Sequence, residues 1–171
     1  FDGDQNVFLA TRKGKCVRFP VTDLRVFSSR NSTGVRGIRL VDDDEVIAMS
    51  GLNHIKVEVA ERDDYLRSVN AARRLLTGDY TDRAEDRARD EAAAERLNEP
   101  LFQEMQQEEE FILTVTIDGF GKRSSAYGYR ISKRGGKGID SMDVKRGEEL
   151  TEVVSTIPVL DTDQLVMVSD G

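Results

Sequence analysis

The sequence predicts a mainly β fold: a partial radial array of four-stranded β blades, interrupted by an α-helical insertion. Three observations predict it. First, one pattern occurs twice and begins a third time: an apolar strand, a glycine turn with cations, then a basic glycine-rich loop. The copies are Val7–Lys15 with Thr33–Ile38, and Phe111–Arg123 with Lys133–Ile139; Gln164–Gly171 opens the third. Second, Gly14 and Gly119 stand 105 positions apart, and Gly119 and Gly171 stand 52 apart. The unit is therefore blade-sized, about 50 residues, as in radial β repeats, and the first interval holds roughly one extra period. Third, the apolar period changes from strand-like to helix-like at Glu61 and back again after Glu110. The expected organisation is a blade over 1–60, an acidic helical insertion over 61–110, a blade over 111–160 and the first strand of a next blade over 161–171. A single such unit cannot bury its own apolar face and needs neighbours.

Each element follows from local chemistry. Residues 7–11 read as a strand, Arg12-Lys13-Gly14-Lys15 as its hairpin turn, and Cys16–Phe19 as the returning strand, which Pro20 ends. A connection rich in Ser, Arg and Asn covers 21–33, and Gly37 marks a tight basic turn between Val35 and Ile38. The acidic loop Asp42-Asp43-Asp44 precedes a strand from Glu45 to Ser50. Residues 53–59 alternate apolar and polar and predict a half-buried strand. From Glu61, Tyr65, Leu66, Val69, Ala72 and Leu76 form one helical stripe, and Thr77-Gly78-Asp79 stops it. Thr81 or Asp82 caps a second helix to about Leu97, with a thin apolar face of Ala84, Ala88 and Ala92. Pro100 opens a third short helix to about Glu108, and the insertion reads as an antiparallel helical hairpin. Strand 111–117, the turn Asp118-Gly119, strand 127–131, loop 132–138 and strand 139–144 restore the β pattern. Arg146–Glu149 turns into strand 150–157, Pro158 opens a link, and Gln164–Val168 is the last strand.

Composition narrows the function. No apolar run approaches the roughly 18 residues of a membrane span, and the polar N-terminus does not read as a signal peptide. One cysteine, Cys16, excludes an internal disulfide and fits a reducing cytosol; among its charged neighbours it reads as a structural thiol. The formal net charge is −7. Nine Lys/Arg and eight Asp/Glu occupy 1–60, eight and fifteen occupy 61–110, and eight and nine occupy 111–171. The acidity thus sits in the insertion, while the β repeats are near neutral with cations gathered at turns. Local potential, not the total, steers a polyanion.

No catalytic set emerges. His54 is the only histidine and lies in an alternating stretch. No Cys/His cluster has metal spacing, and the Ser28-Ser29 and Ser124-Ser125 pairs lack a nucleophile elbow. Gly136-Lys137 is not a phosphate-binding P-loop, because Gly138 follows the lysine and no glycine stands five positions before Gly136. The basic loops are the stronger candidates. Ser132–Gly138 sets three cations among three glycines, a composition that brings backbone N–H groups and charge to a phosphate. Arg36 holds the corresponding place in the first loop, with Arg30 and Arg39 nearby, and the hairpin turns add further cations. The charge-rich helices read as solvated faces, or as a shield or competitor for the basic rim, or as a surface that docks on another subunit.

The segments Val7–Phe19, Asn31-Ser32-Thr33-Gly34-Val35-Arg36-Gly37-Ile38-Arg39-Leu40 and Asp44–Ile47 closely resemble the C-terminal domain family of the DNA gyrase A subunit. Asp118–Ser124 and Asp163–Gly171 fit its following blades. The resemblance covers roughly 1–60 and 111–171. It implies a β-pinwheel that wraps double-stranded DNA on a basic rim, supporting negative supercoiling by the whole type II topoisomerase. It further implies two partners, the gyrase B subunit plus a second A subunit. ATP and Mg would be used by other domains, with no cofactor on this chain, in a bacterial cytoplasmic, nucleoid-associated setting. The family's box, Gln-Arg-Arg-Gly-Gly-Lys-Gly, stands on its first blade; here Ser132–Gly138 lacks the leading Gln and lies on a later blade, so a secondary DNA contact is the expectation. Residues 61–110 have no counterpart in the common pattern. None of Tyr65, Tyr80, Tyr127 and Tyr129 has the context of the family's nucleophilic tyrosine. The expected phosphate contacts, blind to base sequence, are Arg12, Lys13, Lys15, Arg36, Lys122, Arg123, Lys133, Arg134 and Lys137. One alternative is the equivalent domain of the topoisomerase IV A subunit; another is a protein-interaction propeller without a nucleic-acid role.

Overall fold

The computed structural model describes residues 3–54, 56–79, 83–146, 149–160 and 162–164. The chain forms two compact units, Phe1–His54 with Glu110–Gly171, and Ile55–Glu109. The first unit is β and the second α, as the change of period requires.

In the β unit, β1 (Gln5–Thr11) turns into β2 (Lys15–Pro20), and β3 (Val46–Asn53) pairs on the other side of β1. The second repeat copies this: β4 (Phe111–Thr116), β5 (Gly121–Ser125) and, after the two-residue strands β6 (Ile139–Asp140), β7 (Lys145–Arg146) and β8 (Glu149–Leu150), β9 (Val153–Val159). All pairs are antiparallel. The sheet orders are β3-β1-β2-β6 and β5-β4-β9, with β7-β8 a small hairpin. The first sheet thus takes its fourth strand from the second repeat.

The repeat holds residue by residue. Phe8 pairs with Arg18, and 105 positions on Leu113 pairs with Arg123. The register slips between Ala10 and Thr11, and again between Val115 and Thr116. At each slip a threonine hydroxyl accepts from the residue past the turn glycine: Lys15 N–H to Thr11 Oγ1 at 3.1 Å, Phe120 N–H to Thr116 Oγ1 at 3.2 Å. Gly14 and Gly119 take φ of 75° and 84°, values that favour glycine. Both returning strands end in a 3₁₀ turn, Val21–Asp23 and Ala126–Gly128.

Alternation sorts each sheet into two faces. Phe8, Ala10, Cys16 and Leu52 project from the first sheet into a core completed by Ile112, Ala126 and Tyr129 of the second repeat. Phe8 and Tyr129 meet edge to face, ring centres 5.1 Å apart. On the opposite face Val7, Val17, Phe19 and Ile38 form a second cluster. Burying four or more large side chains in each cluster supplies about 1.5–3 kcal/mol per residue, before conformational entropy is subtracted.

Several expectations are corrected. Of the described residues in 53–59 only Asn53 is strand: β3 runs on through Gly51 to Asn53, because Leu52 fills the core. The helix α1 (Val59–Thr77) then starts behind a reciprocal capping box between Glu58 and Glu61, with the Glu58 N–H donating to Glu61 Oε2 at 2.9 Å. Residues 127–131 are not a strand either. Ser125 caps the 3₁₀ turn there, and Ile131 makes only an isolated parallel bridge to Arg18. The strand that pairs back from the second turn is instead β5, a polar stretch with no apolar alternation. The strand expected over 139–144 shrinks to Ile139–Asp140, the two residues that reach β2. Pro158 lies inside β9, which tolerates it as an edge strand. Gly147 and Glu148 of the expected turn, and Leu165–Gly171 of the expected last strand, lie outside the described residues.

The α unit comprises α1, α2 (Ala84–Glu95) and α3 (Pro100–Gln107), with Gly78 closing α1 and Pro100 opening α3. Thr81 and Asp82, the expected caps, are outside the described residues. The pairs Arg74–Asp90 and Arg96–Asp64 set α1 and α2 antiparallel. Tyr65 packs edge to face on Phe102 at 5.5 Å, and its hydroxyl donates to Glu109 at 2.7 Å. The buried stripe of α1 is Tyr65, Ser68 and Ala71, and Leu76 is exposed. On α2 the residues Ala84, Ala88 and Ala92 are exposed, and Asp90 is the buried one. An ion pair replaces the apolar seam: Arg74 Nε and Nη2 donate to Asp90 Oδ2 and Oδ1 at 2.7 and 2.5 Å, a fork geometry stronger than an exposed pair.

The Arg74 guanidinium holds the Asp90 carboxyl below its usual range, and Arg96 does the same for Asp64. A depressed folded value contributes stability that is present above the unfolded value near 3.8 and is lost as pH falls through the folded one. Helical circular dichroism should therefore decline on acidification below about pH 4. Asp90→Asn should start less stable and lose less over that interval; an identical acid profile would remove the pair from the hairpin's support.

Candidate nucleic-acid interface

The two basic loops, separated by about a hundred residues of sequence, lie against each other. Gly135 N–H donates to Gly37 O at 2.5 Å, Arg39 N–H to Gly136 O at 2.8 Å, and Arg134 Nη1 to Arg36 O at 3.1 Å. Arg134 Nε also donates to Asp23 O at 3.1 Å. Arg134 is thus partly buried and ties loop to loop. The joined segments 33–39 and 132–138 contain Arg36, Arg39, Lys133, Arg134 and Lys137 and no acidic residue. Arg36, Arg39, Lys133 and Lys137 are exposed. Four cations on one loop pair, with no ion pair to a carboxylate among the described residues, make a local positive potential despite the net charge.

The glycines do a different task from the expected one. Gly135 spends its N–H on the opposing loop, so it is not a donor for an anion. Gly138 sits at φ 75°, and a Cβ there would stand deep inside contact distance of Cys16 O. Glycine at this point lets the loop enter β6, where Ile139 pairs with Cys16 and Asp140 with Lys15.

The hairpin cations have partners within the β unit. Arg12 pairs with Glu45, and its Nε is 4.0 Å from Glu152. Lys13 donates its N–H to Asp44 Oδ1 at 3.0 Å and its Nζ to Asp42 O at 2.5 Å. Lys15 Nζ reaches Asp140 Oδ1 at 2.6 Å, and Lys122 Nζ donates to Ser141 O at 2.8 Å. Lys15 and Lys122, from different repeats, therefore converge on neighbouring residues of one segment. Arg123 lies over the Phe111 ring at 4.6 Å. The acidic loop 42–44, Glu45 and Asp140 are the partners that sequence reading missed; the Asp42-Asp43-Asp44 run was the available signal. Nor do the turn cations recur in register. The structural equivalents of Arg12, Lys13 and Lys15 are Ile117, Asp118 and Phe120, while Lys122 matches Val17 and Arg123 matches Arg18. Arg36-Gly37-Ile38 and Lys137-Gly138-Ile139 match in sequence, but Gly138 takes a φ of 75° and Ile139 pairs with Cys16, whereas Gly37 is not left-handed and Ile38 is in no strand. Arg39 belongs with the loop cations, and its signal was position, one residue past the shared Gly-Ile.

Cys16 is buried, and burial above all, with Asp140 adding, pushes its thiol up to about 12. Among the described residues no group of His, Cys, Asp or Glu could hold a metal ion, and no helix is long and apolar enough to cross a membrane.

Two outcomes follow. Gly138→Ala should cost on the order of 3 kcal/mol by combining left-handed strain with a clash, read as a lower urea midpoint at unchanged slope. The Cys16 contribution to stability is complete below about pH 9, where the unfolded thiol is still protonated, and declines towards pH 12. Cys16→Ala should remove that part of the alkaline loss, and the native thiol should resist alkylation until the protein unfolds.

The relatives agree with this geometry. A family model described as DNA gyrase C-terminal domain, beta-propeller, matches residues 5–53 and 110–156. The DNA gyrase A subunit of Rickettsia bellii is 47% identical over 168 residues, covering 98% of this chain. That of Granulibacter bethesdensis is 42% identical over 179 residues, covering 99%. The chain spans only 18% and 19% of those relatives' lengths. The solved structure of the DNA gyrase A C-terminal domain aligns with TM-score 0.50 at 17% identity, over 92% of this chain and 32% of that one. The crystal structure of the C-terminal domain of DNA topoisomerase IV aligns with TM-score 0.53 at 15% identity, over 94% and 32%. Those two show the likeness of fold alone and do not separate gyrase from topoisomerase IV, whereas the family model and the sequence relatives name gyrase. With matches on both sides of the helical unit and two β repeats in register, the chain belongs to the DNA gyrase C-terminal domain, beta-propeller family.

Proposed function

We propose that this chain is a DNA-binding and DNA-wrapping part of a type II topoisomerase, within the gyrase A subunit. It holds double-stranded DNA by phosphate contacts that do not read base sequence. The supporting observation is the docked pair of basic loops, which gathers Arg36, Arg39, Lys133 and Lys137 with no ion-paired carboxylate among the described residues. These four are the primary contacts. Arg134 acts mainly by holding the loops together. Arg12, Lys13, Lys15 and Lys122 already have partners, so a phosphate must displace or share them, and their contribution is smaller. In the parent enzyme the reading entails the gyrase B subunit, a second A subunit, negative supercoiling and a bacterial cytoplasmic, nucleoid-associated location. This reading assigns ATP and Mg to other domains of the parent enzyme.

Each phosphate contact adds about 0.9 to the log–log salt slope of duplex binding. Replacing Arg36, Lys133 and Lys137 together by glutamine should flatten that slope by about 2.7 and weaken binding of unrelated sequences equally. A slope unchanged in this variant would take the loop pair out of the contact set. Binding insensitive to salt throughout would favour a protein-interaction role instead.

A further inference from the structure

The α unit carries its positive charge in one form. Between 61 and 110 all eight basic residues are arginine, against fifteen acidic ones. Four of the eight line one cleft between the first two helices: Arg67 and Arg74 on α1, Arg89 on α2 and Arg96 just past its end. The members of each pair stand seven positions apart, close to two helical turns, and so face the same side. The described lining carries two carboxylates, Asp64 and Asp90. The cleft thus reverses the sign of the unit that contains it.

Small side chains make the room. Ser68 and Ala71, each 1% exposed, and the half-buried Ala93 lie between the arginines, where an apolar seam would set larger residues. The space amounts to about 480 Å³, within the range of small-molecule sites. Two of the arginines frame it by engaging its carboxylates. Arg74 holds Asp90 in the fork already described, and Arg96 Nη1 donates to Asp64 Oδ2 at 2.9 Å while its Nε donates to Glu99 Oε1 at 2.8 Å. Arg67 and Arg89 stand differently. Their side chains are 73% and 74% exposed, and each pairs with the carboxylate three positions earlier, Asp64 and Asp86. Exposed pairs of that kind hold weakly in water, and Asp64 is already shared with Arg96. Two exposed guanidiniums, one from each helix, therefore border a cleft whose own carboxylates are engaged.

We propose that this cleft binds a small anion bearing phosphate groups, of pyrophosphate or nucleoside diphosphate size, with Arg67 and Arg89 closing on its oxygens and Arg74 and Arg96 holding the walls. Arginine suits this role better than lysine, because a planar guanidinium meets two oxygens of one phosphate at once. Charge around the cleft decides against duplex DNA as the occupant. A small anion meets the lining, whereas a duplex also comes within a Debye length, about 8 Å, of the acidic surface outside it. An occupant that bridges α1 and α2 stabilises the hairpin by mass action. The inference concerns the α unit alone and is independent of duplex binding by the loops.

The test titrates sodium pyrophosphate into the whole chain and follows the arginine side-chain Nε–H resonances by NMR. Those of Arg67 and Arg89 should shift together and saturate. The helical melting transition should rise by about 5 °C or more at roughly a hundredfold excess over Kd. Replacing both arginines by glutamine should weaken pyrophosphate binding by about tenfold or more, with helical circular dichroism retained because the Arg74–Asp90 and Arg96–Asp64 pairs remain. Arg89→Gln alone, at an exposed position, should weaken it by about threefold or more, and it decides the matter should the double variant lose its helices. Shifts that never saturate, or that sodium chloride of equal ionic strength reproduces, overturn the proposal. So does undiminished binding in the Arg89→Gln chain, or a short DNA duplex that moves the two arginines where pyrophosphate does not.

Discussion

Two residues hold the β unit together by leaving their own repeat. Ile139 and Asp140 pair with Cys16 and Lys15 of the first sheet, and everything on either side of them is placed by that exchange. Upstream, Gly138 must pass against the Cys16 carbonyl, which forces loop 132–138 onto loop 33–39. Downstream, Ser141 donates both its N–H and its hydroxyl to Gly14 O, at 2.8 and 3.1 Å, seating the chain on the first hairpin turn. The Phe8–Tyr129 contact and the hydrogen bonds from Arg18 Nη1 and Nη2 to Ala126 O and Asn53 O lie on the same side of the first sheet. A ladder of two pairs is weak alone; it holds because the core beneath it and the backbone bonds around it are formed at once.

The same exchange decides where charge is exposed. Cations on the hairpin turns face acidic side chains or carbonyls of their own unit. Cations on the loops face outward, since loop-to-loop contact consumes backbone groups and the one arginine, Arg134, with two carbonyl partners. A surface can thus be attractive to a polyanion while the chain as a whole is acidic, and most of that acidity belongs to the separate helical unit. The division of labour within the loops, backbone for docking and side chains for charge, is what a compositional reading cannot separate.

The sequence was legible where a period or a turn residue stated the physics locally. The strands β1, β2 and β4, the turn glycines, the three helices with Gly78 and Pro100 at their ends, and the mainly β class all follow from such signals. It was misleading where a tertiary partner overrode the pattern. The alternation of 53–59 belonged to a strand end and a helix cap, and the polar stretch β5 became a strand because β4 supplied its pairing. The alanine face of α2 stayed exposed because Asp90 found Arg74 on α1. For the interface, the glycines and cations of the two loops were readable, but the partners of Arg12, Lys13, Lys15 and Lys122 were not. Those depend on strand register, and a shift of one residue reverses which face a side chain takes.

The threonine at each register slip has a wider meaning. Thr11 and Thr116 build the same turn from a hydroxyl, a glycine and a backbone bond, and in the second copy the Thr116 hydroxyl also donates to the tip carboxylate of Asp118. Those tips read Arg-Lys-Gly-Lys in one copy and Ile-Asp-Gly-Phe in the other. The three tip positions other than glycine therefore differ in chemistry while the backbone turn recurs. Mutation can rewrite the outer residues, trading an ionic edge for a greasy or acidic one, while the scaffold underneath keeps its shape, so each blade is free to specialise on its own.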